Sequence, residues 1–231
     1  YYRRLQRRST NKRLKSPRLK MSITMLKDRV AANQQMSRSN VNKNEAALKI
    51  QRRNLYQLRD QLMDNPHLER VVGKWLHRGI ALYLATKSQW NAHDLQRLMN
   101  QHFTYEIVKL PTDLEYTTAN LQTYLEQFCQ TTLKKHAKVL INNQQLNQFY
   151  RTALLNALDS SWMDQMDYLS KLTTRVQPWG NTQRNPSFLY QEKAYQAFEK
   201  MFDHAAQRTV DNLMLSTISL NDDNNLVVHF N

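Results

Sequence analysis

At 231 residues the chain can bury one or two modest cores, and its three glycines (Gly73, Gly79, Gly180) and five prolines punctuate it too sparsely for a sheet-rich fold. The formal net charge of +14 lies wholly at one end: residues 1–63 hold 17 Lys/Arg against 3 Asp/Glu, whereas the other 168 residues hold 16 of each. A lone Cys129 excludes an intramolecular disulfide framework and a multi-cysteine zinc site, and no apolar run approaches the ~20 residues that span a bilayer.

Residues 1–19 are basic, poor in apolar side chains and closed by Pro17, so weak order is expected there. The chain opens on Tyr1 rather than Met, as a fragment or processed product would, and its first twenty residues lack the apolar stretch of a secretory signal. A reducing cytosol is the compartment that suits the single cysteine. The basic block suits nucleic acid, an anionic lipid surface or an acidic protein face. A solvated tail, or an interface whose acidic partner is missing, fits it equally well.

Pro17 and Pro66 bracket 48 residues with neither glycine nor proline. A helix over 20–65 is predicted, about 70 Å long at ~1.5 Å per residue. Leu19, Ile23, Leu26 and Val30 mark one face; Val41, Leu48, Leu55 and Leu62 recur every seven residues, with Leu58 between. The Asn- and Ser-rich stretch 33–44 is a poor helix interior, so it is either held by packing or marks a bend. Asn44 and Gln51 interrupt the stripe, which favours a scaffold helix with other elements docked along it over a two-stranded coiled coil.

Shorter helices are expected over 66–142. Leu68, Val71, Val72, Trp75, Leu76, Ile80 and Tyr83 make one apolar face. Asn91 caps a helix carrying Leu95, Leu98 and Met99, with Asp94 as its capping-box partner. Residues 103–110 look extended. Thr118 to Leu140 reads as a helix with Leu121, Leu125, Phe128 and Leu133 inward.

Two long amphipathic stretches follow, from Asn143 to Leu172 and from Pro186 onward. The first presents Leu146, Phe149, Ala153, Leu154, Ala157, Leu158, Trp162, Met166 and Leu169. The second presents Phe188, Ala194, Phe198, Met201, Phe202, Ala205, Thr209 and Leu213. Proline suits a first helical turn, and the polar stretch 173–185 with Pro178 and Gly180 suits the tip of an antiparallel helical hairpin. At the end, STISL and LVVHF flank NDDNN as a short β-hairpin. The fold class is therefore mainly all-α, with a small C-terminal β-hairpin over 217–231.

Chemical motifs are absent. There is no phosphate-binding loop and no H-E-x-x-H, and three scattered glycines cannot build a dinucleotide loop. Cys129 and His136 share a helical face, where packing explains them better than a metal. Asp159, Asp164 and Asp167 cluster near Trp162 in sequence, and a solvated helix face explains them better than acid–base work. Dedicated nucleic-acid binding would add interleaved aromatics or a reading motif, and neither is present. No catalytic residue and no metal ligand is assigned.

Specificity enters with residues 158–204. The D-S-x-W-M-D run at 159–164, Q-x-N-P at 183–186, and Tyr190, Gln191 and Phe198 together resemble the two-helix finger of SecA, the ATP-driven motor of bacterial protein export. RVAANQQMSRSN (29–40) and LKIQRRNLYQLRDQL (48–62) are similar to the SecA long scaffold helix. The resemblance implies a division into an exit from a missing nucleotide-binding domain (1–19), scaffold helix (20–65), helical wing (66–142), two-helix finger (143–216) and hairpin tail (217–231).

It further implies that Asp159, Trp162, Gln165, Asp167, Asn185, Pro186 and Tyr190 are motif residues of the finger. Trp162, Met166 and Leu169 would pack it. Trp179, Gly180, Asn181, Gln183 and Arg184 would form a tip that contacts substrate and channel. Housekeeping SecA usually carries His at the position of Gln165, a tyrosine at that of Asn181 and a zinc-binding tail. The absence of that His and of the zinc tail resembles the accessory SecA of some Gram-positive bacteria; the missing tyrosine is a separate departure, for which Trp179 is the substitute tip aromatic. The implied partners are an accessory SecY-type channel, exported preproteins such as serine-rich glycoproteins, and the remaining SecA domains. ATP and Mg would bind those domains and not this chain, which alone would not be an enzyme. The implied location is cytoplasmic, peripheral on the inner face of the plasma membrane. The alternative is a basic coiled-coil or nucleic-acid-binding module with no motor parent.

Overall fold

The computed structural model describes residues 17–176 and 186–230. In chain order the elements are α1 (Pro17–Asp64), α2 (Glu69–Leu84), α3 (Ala92–His102), α4 (Thr118–Val139), α5 (Asn143–Val176), α6 (Pro186–Met214), β1 (Thr217–Leu220) and β2 (Leu226–His229). The fold is mainly helical, with one two-stranded antiparallel sheet in which Thr217 faces His229 and Leu220 faces Leu226. Asn224 takes a left-handed backbone (φ 59°) in the connecting turn, a conformation Asn tolerates, while Asn221 Oδ1 accepts from the Asp223 and Asn225 amides.

α1 runs unbroken through its Asn/Ser-rich middle. Its last turn ends against α5. There Arg151 Nε donates to the Leu62 carbonyl (3.2 Å) and Arg151 Nη2 to the Asn65 carbonyl (3.1 Å). A guanidinium at this point satisfies carbonyls that a helix end leaves without partners, and it complements the negative end of the helix dipole.

The larger core gathers α2, α3, α4, the first half of α5 and the second half of α6, with Leu55 and Leu62 entering from α1. Ile218, Leu220, Leu226 and Val228 of the β-hairpin pack on it. Asn91 caps α3 by accepting from the Asp94 amide at 2.9 Å, and the Asp94 carboxylate reaches Lys87. Cys129 and Phe149 are fully buried, and His136 packs edge-on to Phe149. Burial pushes the Cys129 thiol up to about 12, so it behaves as a small apolar side chain. Among the described residues no group of His, Cys, Asp and Glu could hold a metal ion.

α2 crosses α6 at Gly79, where a Cβ would lie 2.5 Å from the Ala206 carbonyl oxygen. Only glycine allows that approach. Beyond the crossing, Asp211 of α6 accepts from the Tyr83 hydroxyl (2.7 Å) and lies 3.0 Å from His102 Nδ1, joining α2, α3 and α6.

One expectation is refined and one fails. Residues 103–110, which look extended, join no ladder: Phe103 turns inward as the C-cap of α3, while Ile107 is exposed and Val108 and Leu110 rest on the core. An extended-looking sequence makes a ladder only if another edge is available, and the β1–β2 pair lies elsewhere. Phe188 does not face inward but is 66% exposed, with Tyr190 buried instead. Six residues separate Phe188 from buried Ala194, about 240° around the helix, whereas Tyr190 lies one turn away on the same side.

Candidate functional site

The α5–α6 hairpin is the most extensively paired unit of the chain, and α1 lies against both its helices. Their meeting point is built from a small residue and two amides. Ala194 on α6 has almost no side chain, so its backbone carbonyl is reachable from outside the helix. Gln51 of α1 donates Nε2 to that carbonyl at 2.9 Å. Gln165 of α5 donates Nε2 to Gln51 Oε1 at 3.2 Å and approaches the same carbonyl at 3.5 Å. Gln51 is 6% exposed and Gln165 is 4% exposed. Burying two amides without partners would cost several kcal/mol, roughly 1–3 for each group, so their mutual bonds fix one register of three helices.

A small core surrounds this junction. Leu169, Leu172, Tyr190 and Ala194 are buried together, with Leu48 of α1 and Met166 packed against them. Burial raises the Tyr190 hydroxyl above its ordinary range, and a bond with Thr173 of α5 opposes that rise. Further toward the α1 N-terminus, Gln191 Nε2 reaches the Lys43 carbonyl at 3.5 Å. On the other side of the junction Arg59 pairs with Asp159 at 3.3 Å.

The motif residues do not converge on one point. Asp159 faces α1, Asp164 binds Arg208 of α6 at 2.6 Å, and exposed Asp167 pairs along α5 with Lys171 at 2.5 Å. The three carboxylates therefore serve three separate cations and form no acid–base cluster. Half-buried Trp162 meets Phe198 edge-on with ring centroids 6.4 Å apart, and Leu169 is buried, as packing roles require. Gln165 and Tyr190 belong to the junction itself. Pro186 opens α6. Trp179, Gly180, Asn181, Gln183, Arg184 and Asn185 lie outside the described residues.

Sequence reasoning missed Gln51, which looked like a flaw in the apolar stripe. A polar residue in the middle of a heptad series was the available signal.

Residues 13–217 match the family model for the SecA Wing and Scaffold domain. Over its whole length the chain is 34% identical to the protein translocase subunit SecA 2 of Lactobacillus johnsonii, covering 30% of that protein. It is 25% identical to the protein of the same name from Streptococcus gordonii (94% of this chain, 28% of the relative). With the Staphylococcus haemolyticus protein of that name the identity is 29% (84% of this chain, 25% of the relative). The chain thus spans less than a third of the length of these relatives.

Proposed function

This chain belongs to the SecA family, as a wing and scaffold portion of the SecA 2 kind, and we propose that it transmits motion within a protein-export motor. Its relatives are named protein translocase subunits, so the process it serves is protein translocation. The alternative of a module outside this family falls with the match over 13–217.

In the longer protein, ATP with Mg would be bound and hydrolysed by other domains, since no phosphate cradle exists in this sequence. The residues here carry the displacement. α1 receives it along its length, and the hairpin follows because Gln51 and Gln165 hold α5 and α6 to α1 through one carbonyl. The segment carrying Trp179, Gly180, Asn181, Gln183 and Arg184 is the part that touches the exported chain at the mouth of a SecY-type channel. Serine-rich glycoproteins are the candidate cargo. No described helix is long and apolar enough to cross a membrane; the location that goes with this role is peripheral, at the cytoplasmic face of the plasma membrane.

The buried amide junction is the observation that supports this reading most directly. In the full-length protein, Gln165→Ala is expected to slow export several-fold while ATP hydrolysis stays within about twofold, because an uncoupled hairpin leaves the nucleotide sites intact. Equal loss of both activities would assign the junction to folding alone. A photo-crosslinker at position 179 in a stalled export complex should label channel and cargo. If neither appears among the adducts, the tip assignment is wrong.

A further inference from the structure

A groove of about 560 Å³ runs between α5 and α6 and includes no residue of α1. Lys193, Lys200 and Arg208 of α6 line it, seven and eight residues apart. That spacing sets three cations on one helical stripe, about 10–12 Å from one to the next. Asp164 is the one carboxylate among the lining residues, and Arg208 neutralises it at 2.6 Å. No carboxylate of the described residues lies within ion-pair distance of Lys193 or Lys200.

This polarity is not a by-product of overall charge, because residues 64–231 are balanced at 16 basic and 16 acidic. It arises by segregation on α6. Glu192 and Glu199 occupy the adjacent stripe outside the groove, where Glu199 bonds the Tyr195 hydroxyl. The groove also carries the exposed Gln196 amide and the rim of Tyr168, groups able to bond a peptide main chain.

We propose that this groove docks an acidic, extended segment of a partner polypeptide, with successive carboxylates on Lys193 and Lys200. An extended chain of the polyproline type returns to the same side every third residue after about 9 Å, close to the lysine spacing. A phosphate ligand would instead need donors converging on one point, and these cations are strung out in line. A flat headgroup surface does not enter a trough between two helices. Single-stranded nucleic acid would require a run of stacking aromatics, whereas the groove's only rings are Tyr168 on α5 and His204 on α6. The inference rests on the groove's charges and is independent of the translocation reading.

The test uses the 231-residue chain and a twelve-residue peptide with Glu at every third position and a terminal benzophenone. Since the basic residues 1–63 also attract such a peptide, the readout is the site of crosslinking by mass spectrometry together with anisotropy at low salt. Adducts within 161–208 are expected. Affinity for that site should fall at least tenfold in K193E/K200E, and less than twofold in K134E/K135E, at exposed positions of α4. K193Q/K200Q, which removes charge without reversing it, should show an intermediate loss with an unchanged circular dichroism melt. Adducts confined to 1–63, equal binding of the Gln-for-Glu peptide, or equal loss in both charge reversals would overturn the proposal. So would tighter binding of oligo-dT or phosphatidylglycerol vesicles that disappears in K193E/K200E.

Discussion

Leu55 and Leu62 sit near one end of α1 and Leu26 and Val30 near the other, all on stripes of the same periodicity. Leu55 is 1% exposed, in contact with the large core, whereas Leu26 is 60% and Val30 is 53% exposed. The difference between the two ends lies in what is folded against them. A helical stripe records that a face is suited to burial, and it takes a partner in place to make that suitability into stability. One end of α1 has α5, α6 and the larger core; the other has no described element against it.

Substitutions can break or sharpen this contrast. The largest effect is expected at Leu55→Ala, about 3 kcal/mol lost in a denaturant titration, because a buried cavity adds to the lost transfer energy. Leu26→Ala should change the same midpoint by under about 0.5 kcal/mol. A comparable cost at Leu26, rising with protein concentration, would mean that the open end is covered by a second copy.

The same opposition recurs inside α2 with its sign reversed. Gly79→Ala must push against the Ala206 carbonyl and the Val210 side chain, and about 2 kcal/mol should be lost. Gly73 has nothing within 4 Å of the corresponding position, so Gly73→Ala should raise stability by about 0.5–1 kcal/mol through helix propensity. Thermal unfolding of the two variants should move in opposite directions.

At the junction, Gln165→Ala leaves Gln51 Oε1 without its donor and should cost about 1.5 kcal/mol. The double variant Gln51→Leu with Gln165→Leu should cost less than the sum of the singles, since both ends of the bond go together. Purely additive losses would show that the amides do not act as a pair. The smallest effect belongs to Arg59→Ala. Its ion pair with Asp159 is more than a third exposed, so the change should stay under about 0.5 kcal/mol and vanish in high salt.

Much of this architecture was legible in the sequence for local reasons. Two prolines bracketing 48 residues announce α1, Asn91 announces the start of α3, and NDDNN between apolar runs announces the β-hairpin. The pairing of α5 with α6 follows from two long amphipathic stretches joined by a polar turn. What stayed hidden depends on distant partners. Phe188 and Tyr190 are equally suited to burial, and only the position of α5 and α1 selects Tyr190. Asp159, Asp164 and Asp167 look like a cluster until their cations are placed on three different sides. Gln51 reads as an interruption until the Ala194 carbonyl, 143 residues later, comes into reach.

In the proposed motion-transmitting role, the position of that amide junction would set a mechanical ratio. Gln165 lies eleven residues before Val176, where described α5 ends, so about 16 Å of helix extends past that amide. Seen as a lever with its fulcrum at Gln165, a tilt of about ten degrees would sweep that end through roughly 3 Å, near the rise of one residue of extended chain. A fulcrum one turn earlier would lengthen the stroke by about a third. In that role, the choice of which turn of α5 carries the buried glutamine would set the stroke as well as the strength of the joint.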